Sequence, residues 1–209
     1  MANTEQKSKS FVRLYRIALI GILTAIAVVL MMFEFPLLWI APGFYKMDFS
    51  ELPIIIGALA LGPVEGIVME FLKNLLNILL QGTVTVGIGE FANFAMGVCY
   101  VLPAALIYAF KKTKKRAVIG LIIATFMCAI LGALLNAFVL LPAYASKFGG
   151  MDNIIKAGTE VNGRITSVAT FVFLAVAPFN LIKYATVSAI TILIYKRISR
   201  ILKNPMERA

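Results

Sequence analysis

The sequence predicts an all-α, polytopic integral membrane protein, a bundle of six transmembrane helices in a single domain over residues 1–209. Three observations carry this. Hydrophobic residues make up 61% of the chain and charged residues 14%, against about 25% charged in a soluble domain. Mean hydropathy is +0.92. The apolar residues are gathered into runs approaching the roughly 20 residues that cross a bilayer at about 1.5 Å rise each, and the basic residues cluster between alternate runs.

The first run, Val12 to Phe35, follows a basic stretch, and its Ala25-Ile26-Ala27 is shaped like a signal cleavage site. That triplet lies in the middle of the run, so the run reads as an uncleaved helix. Ala18, Gly21 and Ala25 share one of its faces, and Gly21-x-x-x-Ala25 is the small-x-x-x-small spacing that lets a second helix approach closely. The second run, Glu51 to Leu61, is too short to cross a bilayer upright before Gly62-Pro63 breaks it. It is tilted, buried by neighbours, or extended past that signal.

Pro63 to Leu80 is the third run, and it carries Glu70, Lys73, Asn74 and Asn77 at i, i+3, i+4 and i+7, a single polar face in an oily helix. An ionisable group at the bilayer centre costs about 2.5–3.5 kcal/mol on insertion scales, so such a face turns to a partner helix or a cavity. Phe91 to Phe110, Ala117 to Tyr144 and Ser167 to Arg197 complete the six. Asn136 interrupts the fifth run, and Asn180, Lys183 and Tyr184 stand at i, i+3 and i+4 in the sixth.

With six spans, the basic clusters fall on one side: Lys7, Lys9, Arg13 and Arg16; Lys111, Lys112, Lys114, Lys115 and Arg116; Lys196, Arg197, Arg200, Lys203 and Arg208. The positive-inside rule makes that side cytoplasmic, with both termini there. Residues 1–10 form a basic tail, 11–202 the bundle and 203–209 a second tail. The opposite loops mix Lys46, Lys147, Lys156 and Arg164 with Asp48, Glu51, Glu90, Asp152 and Glu160. Topology thus accounts for the net charge of +10 without a nucleic-acid partner.

Absences narrow the chemistry. The chain has no His, which removes Ser-His dyads, His-ligated metals and imidazole proton relays. It has no Gly-x-x-x-x-Gly-Lys-Ser/Thr loop, so ATP-driven work requires a partner. Cys99 and Cys128 sit in separate apolar runs and read as buried small hydrophobes. No catalytic residue, metal or cofactor is expected, and the chain does not read as an enzyme.

The loop Pro36 to Ser50 holds Trp39, Phe44, Tyr45 and Phe49, and Gln81 to Glu90 contains the strand-like Thr83-Val84-Thr85-Val86. These segments cap a cavity, or their aromatics form an interfacial belt. The loop Ser146 to Arg164 is polar and glycine-containing. A carboxamide both donates and accepts, so paired Asn residues suit an imide edge such as that of a flavin, and Lys adds donors for carbonyl or hydroxyl oxygens. The same amides serve equally as interhelical hydrogen bonds.

Leu-Pro-x-Ile at 52–55, Gly62-Pro63, Lys73-Asn74-Leu75-Leu76-Asn77, Phe91-Ala92-Asn93-Phe94, Leu135-Asn136 with Val139-Leu140-Leu141-Pro142, and Pro178-Phe179-Asn180-Leu181-Ile182-Lys183 together resemble the riboflavin-specific substrate-binding (S) component of energy-coupling factor (ECF) transporters. The resemblance runs from the first helix through the sixth. It implies a six-helix bundle in a bacterial cell membrane that binds riboflavin, or a related flavin such as FMN, under loops one, three and five. It implies partnership with a transmembrane coupling protein and two cytoplasmic ATPases, which drive uptake by toppling the S component. By motif, Asp48, Phe49, Asn93, Asn136, Asn180 and Lys183 would contact or frame the ligand, and Gly21 and Ala25 would meet the coupling protein, Gly21 standing where alanine is more usual. Gly87-Ile88-Gly89-Glu90 is longer and more acidic than the pattern, and Glu90 is given no role. Glu70 to Asn77 touches ligand or stabilises packing. Two other readings stay open at this point: an ion-coupled secondary transporter, for which Glu70 and Lys73 speak, and an intramembrane enzyme on a prenyl or lipid substrate, which the lack of Asp in any span disfavours.

Overall fold

The computed structural model describes residues 2–83, 87–146 and 149–207; Val84, Thr85 and Val86 of the strand-like stretch, Lys147 and Arg208 lie outside the described residues. All six expected helical runs are present. α1 spans Ala2–Met32, α2 Glu51–Leu61, α3 Pro63–Gln81, α4 Ile88–Phe110 and α5 Lys114–Leu135. A π-helical turn, Asn136–Leu140, joins α5 to α6 (Leu141–Ala145); α7 is Met151–Val161. The last run is α8 (Val168–Phe171), a second π-helical turn (Val172–Val176) and α9 (Ala177–Glu207).

Boundaries differ from the sequence reading for local reasons. α1 begins at Ala2, so the tail is helical, and it ends at Met32. Phe35 precedes Pro36, which biases it to extended backbone, and Phe35–Pro36 (β1) pairs antiparallel with Lys46–Met47 (β2) in a two-stranded hairpin. α2 does stop at Gly62, whose φ of 139° needs glycine, and Pro63 opens α3 at the position where a missing N–H is harmless. At 11 residues α2 is about 16 Å long. It lives in the membrane by being enclosed: Ile54 and Ile55 are fully buried. α7 is a helix inside the expected loop Ser146 to Arg164; it buries Ile154 and packs Gly158 against Phe171, where an added Cβ would lie 2.6 Å from the ring.

Among the described residues, four helical runs are long and apolar enough to cross a bilayer: Ser10–Met32, Ile88–Phe110, Lys114–Ala145 and Val168–Tyr195. Their outer faces carry large apolar side chains such as Phe110, Phe138, Phe173 and Leu193, as a lipid-facing surface requires. Two apolar cores result. The larger joins α1 to α5 and α9 around Ile55, Met69, Tyr100 and Leu121. The smaller joins the α1–α2 loop to α6, α7 and α8 around Met47, Leu141, Ile165 and Phe171, at the end of the bundle opposite the Lys111–Arg116 connection. The polar groups lie between them.

Candidate functional site

α3 sets the frame. Its stripe faces inward, and Glu70, Lys73, Asn74 and Asn77 are all buried. Lys73, 1% exposed, places Nζ 2.9 Å from Glu51 Oε1 on α2 and 2.8 Å from Glu70 Oε2. Neither Glu70 oxygen makes an aligned hydrogen bond, so charge attraction rather than directional bonding holds that carboxylate. Asn74 donates Nδ2 to the Glu70 carbonyl. The upper three residues of the stripe are therefore packing. Asn77 is different: it reaches a cavity, and its buried Oδ1 accepts no hydrogen bond from the protein.

That cavity, about 360 Å³, opens at the hairpin end of the bundle. Five of the six residues expected at the ligand line it: Asp48, Asn93, Asn136, Asn180 and Lys183. Phe49 does not. Its neighbour Asp48 turns inward, and the Phe49 ring sits 6.2 Å from that of Phe35, against the smaller core.

Asp48 is the hinge of the site. Its Oδ2 meets Lys183 Nζ at 3.0 Å across 135 positions of sequence, and its Oδ1 accepts the Ser50 N–H at 2.8 Å just before α2. Burial alone pushes this carboxyl up; the ammonium groups of Lys183 and Lys73, with the Ser50 hydrogen bonds, outweigh it and hold the group down at about 2. Loop one is thereby tied to α9.

The amides are oriented by their own helices. Asn136 donates Nδ2 to the Gly132 carbonyl at 2.8 Å and accepts the Tyr45 hydroxyl on Oδ1 at 2.5 Å. Burial pushes the Tyr45 phenol well above its usual range, so it remains a donor. Asn180 donates Nδ2 to Val176 at 3.1 Å. Tyr45 also lies 4.9 Å from Phe44 and 5.6 Å from Phe179 between ring centroids. The result is a wall of aromatic faces beside two carboxamides and a lysine, which suits a flat, polar-edged heteroaromatic molecule.

Tyr184, grouped with Asn180 and Lys183 in the sequence, lines the cavity as they do, and the lining adds Met96, Phe179, Tyr144, Glu34 and Glu90, which the sequence did not single out for the site. Phe179 stands next to Asn180, and that adjacency was the available signal. Glu90, left without a role, lies in the first turn of α4 and accepts from Thr83 Oγ1 at 3.1 Å. Glu34 and Lys46 pair beside the cavity mouth. Of the loop-one aromatics, Tyr45 faces the cavity and Trp39 is 73% exposed, as in an interfacial belt.

Gly21 and Ala25 stand apart. Both are exposed on the outer face of α1, and a Cβ built at Gly21 meets nothing within 4 Å. Intrachain packing does not use this stripe. Cys99 and Cys128 are free thiols.

Comparison with known proteins places these features in context. Residues 15–195 match the family described as "ECF transporter, substrate-specific component". The chain is 36% identical over 189 residues to "Riboflavin transporter RibU" of Staphylococcus aureus (strain TCH60), covering 90% of this chain and 93% of that one. It is 32% identical over 184 residues to "Riboflavin transporter FmnP" of Bacillus subtilis (strain 168), covering 86% and 90%. A solved structure, "Structure and mechanism of the S component of a bacterial ECF transporter", superimposes with a TM-score of 0.67 at 35% identity, covering 90% of this chain and 97% of that chain.

The Asp48–Lys183 pair generates a test. A carboxyl lowered on folding adds stability that is fully present above its unfolded value of about 3.8 and is lost as pH falls toward 2. Wild type should therefore exceed Asp48→Asn in detergent by about 2 kcal/mol at pH 6, and the gap should close between pH 4 and 2. Thermal unfolding across that range measures it, and a gap that ignores pH contradicts the assignment.

Proposed function

This chain belongs to the substrate-specific components of ECF transporters, and we propose that its cavity binds riboflavin for import across the cell membrane in which it sits as a multi-pass protein. The observation that carries the reading is the convergence of Asn136, Asn180, Lys183 and Asp48 on one cavity beside the Tyr45 and Phe179 rings. A volume near 360 Å³ is within the range of small-ligand pockets.

In this reading the isoalloxazine plane lies against the aromatic wall, and its imide edge takes hydrogen bonds from the carboxamides and Lys183. Asn77, with its unpartnered Oδ1, and Asn93 are left for the hydroxyls of the ribityl chain. Tyr45 and Asp48 bring loop one over the ligand, one through Asn136 and the other through Lys183. FMN shares the ring and is the related ligand to compare.

Transport needs work that the chain has no phosphate-binding loop to supply. We assign that work to a transmembrane coupling protein and two cytoplasmic ATPases, with both termini of this chain on the cytoplasmic side. The open Gly21–Ala25 face is the surface we assign to the coupling protein. The secondary-transporter reading loses its footing in the geometry, because Glu70 and Lys73 are spent on each other and on Glu51, outside the cavity lining.

Calorimetric titration with riboflavin tests the site. Asn180→Ala and Lys183→Ala should each weaken binding by about 1–3 kcal/mol, the cost of a buried polar partner left unpaired. Variants that bind as wild type would reduce both residues to bundle packing.

Partner assignment is tested separately. Gly21→Trp or Ala25→Trp should leave riboflavin affinity within about twofold of wild type, since the added ring points away from the cavity, while uptake by the reconstituted complex fails. Loss of binding in a folded variant would place that face inside the chain's own packing.

A further inference from the structure

Resting on the riboflavin reading above, the structure assigns Pro142 and Pro178 as positioning residues, which hold two π-helical turns that aim the amide-bearing faces of α5–α6 and α9 into the cavity. Neither proline lines the cavity itself.

The two turns are built alike. The N–H that closes each reaches back five residues, Leu141 to the Asn136 carbonyl and Ala177 to the Val172 carbonyl. Each donor is the residue immediately before a proline. In an unbroken α-helix the ring of Pro142 would strike the carbonyl of Phe138, and that of Pro178 the carbonyl of Leu174, four residues back. Both carbonyls lie inside the π turns, where the wider loop moves them aside. The turns also touch one another across the bundle.

Rotation makes the consequence functional. Four residues of α-helix turn about 400°, so positions four apart drift by about 40° per step. Asn136, Leu140 and Tyr144 recur at that spacing and all line the cavity; a plain helix would fan them over about 80°. One extra residue in the turn takes back about 100°, which returns Tyr144 to within about 20° of Asn136. Across the second turn, buried positions recur every four residues, from Phe171 and Ala175 to Phe179, Lys183 and Val187. Straightening that turn would rotate Asn180 and Lys183 relative to Phe171, which is fixed against Gly158 of α7.

Proline by itself does not suffice, since Pro103 sits inside α4 without such a turn, and this supplies the control. Pro142→Ala and Pro178→Ala should weaken riboflavin binding at least tenfold while the thermal midpoint of the ligand-free protein holds or rises, alanine being the better helix former. Pro103→Ala should leave affinity unchanged. Deleting the lipid-facing Phe138 from Pro142→Ala removes the extra residue, realigns the faces and should recover binding. Wild-type affinity in both proline variants, or a midpoint that falls together with affinity, overturns the assignment. A wild-type protein that ignores riboflavin would instead sink the ligand reading. In that event a probe independent of ligand still decides: with Cys99 and Cys128 replaced by Ala, Tyr144→Cys should react with a water-soluble maleimide more slowly once Pro142→Ala is added, and an unchanged rate overturns the positioning role.

Discussion

A lysine that is 1% exposed within a membrane bundle has to have its charge met by the protein. At that exposure bulk solvent does not reach the ammonium, and an unpaired ion there costs several kcal/mol. Lys73 is met by Glu51 and Glu70, and that requirement fixes how α3 can rotate against α2. Once α3 is fixed, Asn77, one turn beyond Lys73, faces the cavity. The same logic acts at Lys183, whose partner Asp48 belongs to a loop rather than a helix, so satisfying a buried charge also draws loop one across the cavity mouth. The short α2 follows as well. It carries Glu51 into the interior, and a helix of 11 residues can do so because its neighbours, not lipid, surround it.

The parts legible in the sequence were those in which polarity breaks an apolar period. Asn136, Asn180 with Lys183, and the stripe of α3 are conspicuous because lipid-facing positions exclude them, and all were placed on inward faces correctly. Partnerships were not legible: Glu51 lies 22 positions from Lys73 and Asp48 135 from Lys183, and no local pattern links them. Aromatics such as Tyr144 and Phe179 were invisible for the opposite reason, since a ring in an oily run reads alike whether it meets lipid or ligand. Phe49 shows the limit of motif matching at single-residue resolution, where adjacent side chains diverge and only Asp48 turns inward. α7 was missed because Met151, Ile154 and Gly158 are spread through a polar stretch whose helical period is short. The π turns leave a trace only in Pro142 and Pro178, each directly after the N–H that closes a turn.

Two surfaces of α1 separate the cavity wall from the face proposed for the partner. Leu23, Ala27 and Met31 are buried, and Met31 reaches the cavity wall. Gly21 and Ala25 lie on the other side of the same helix, open to the membrane. A ligand held by the interior and a partner docked on the exterior, as proposed, would share one rigid element without sharing residues. Small side chains suit the outer role because, with no hydrophobic drive between helices in lipid, close backbone approach supplies the contact.

The central claim is that the amide-lined cavity opening at the hairpin end is a flavin site. The visible absorption spectrum of the purified protein tests it most directly, because a flavin held against aromatic rings both colours the preparation and shifts its bands from those of free riboflavin. The account predicts a yellow protein, or a ligand-free one that takes up one riboflavin per chain with that spectral change. A colourless preparation whose spectrum on addition of riboflavin is the plain sum of protein and free ligand would contradict it.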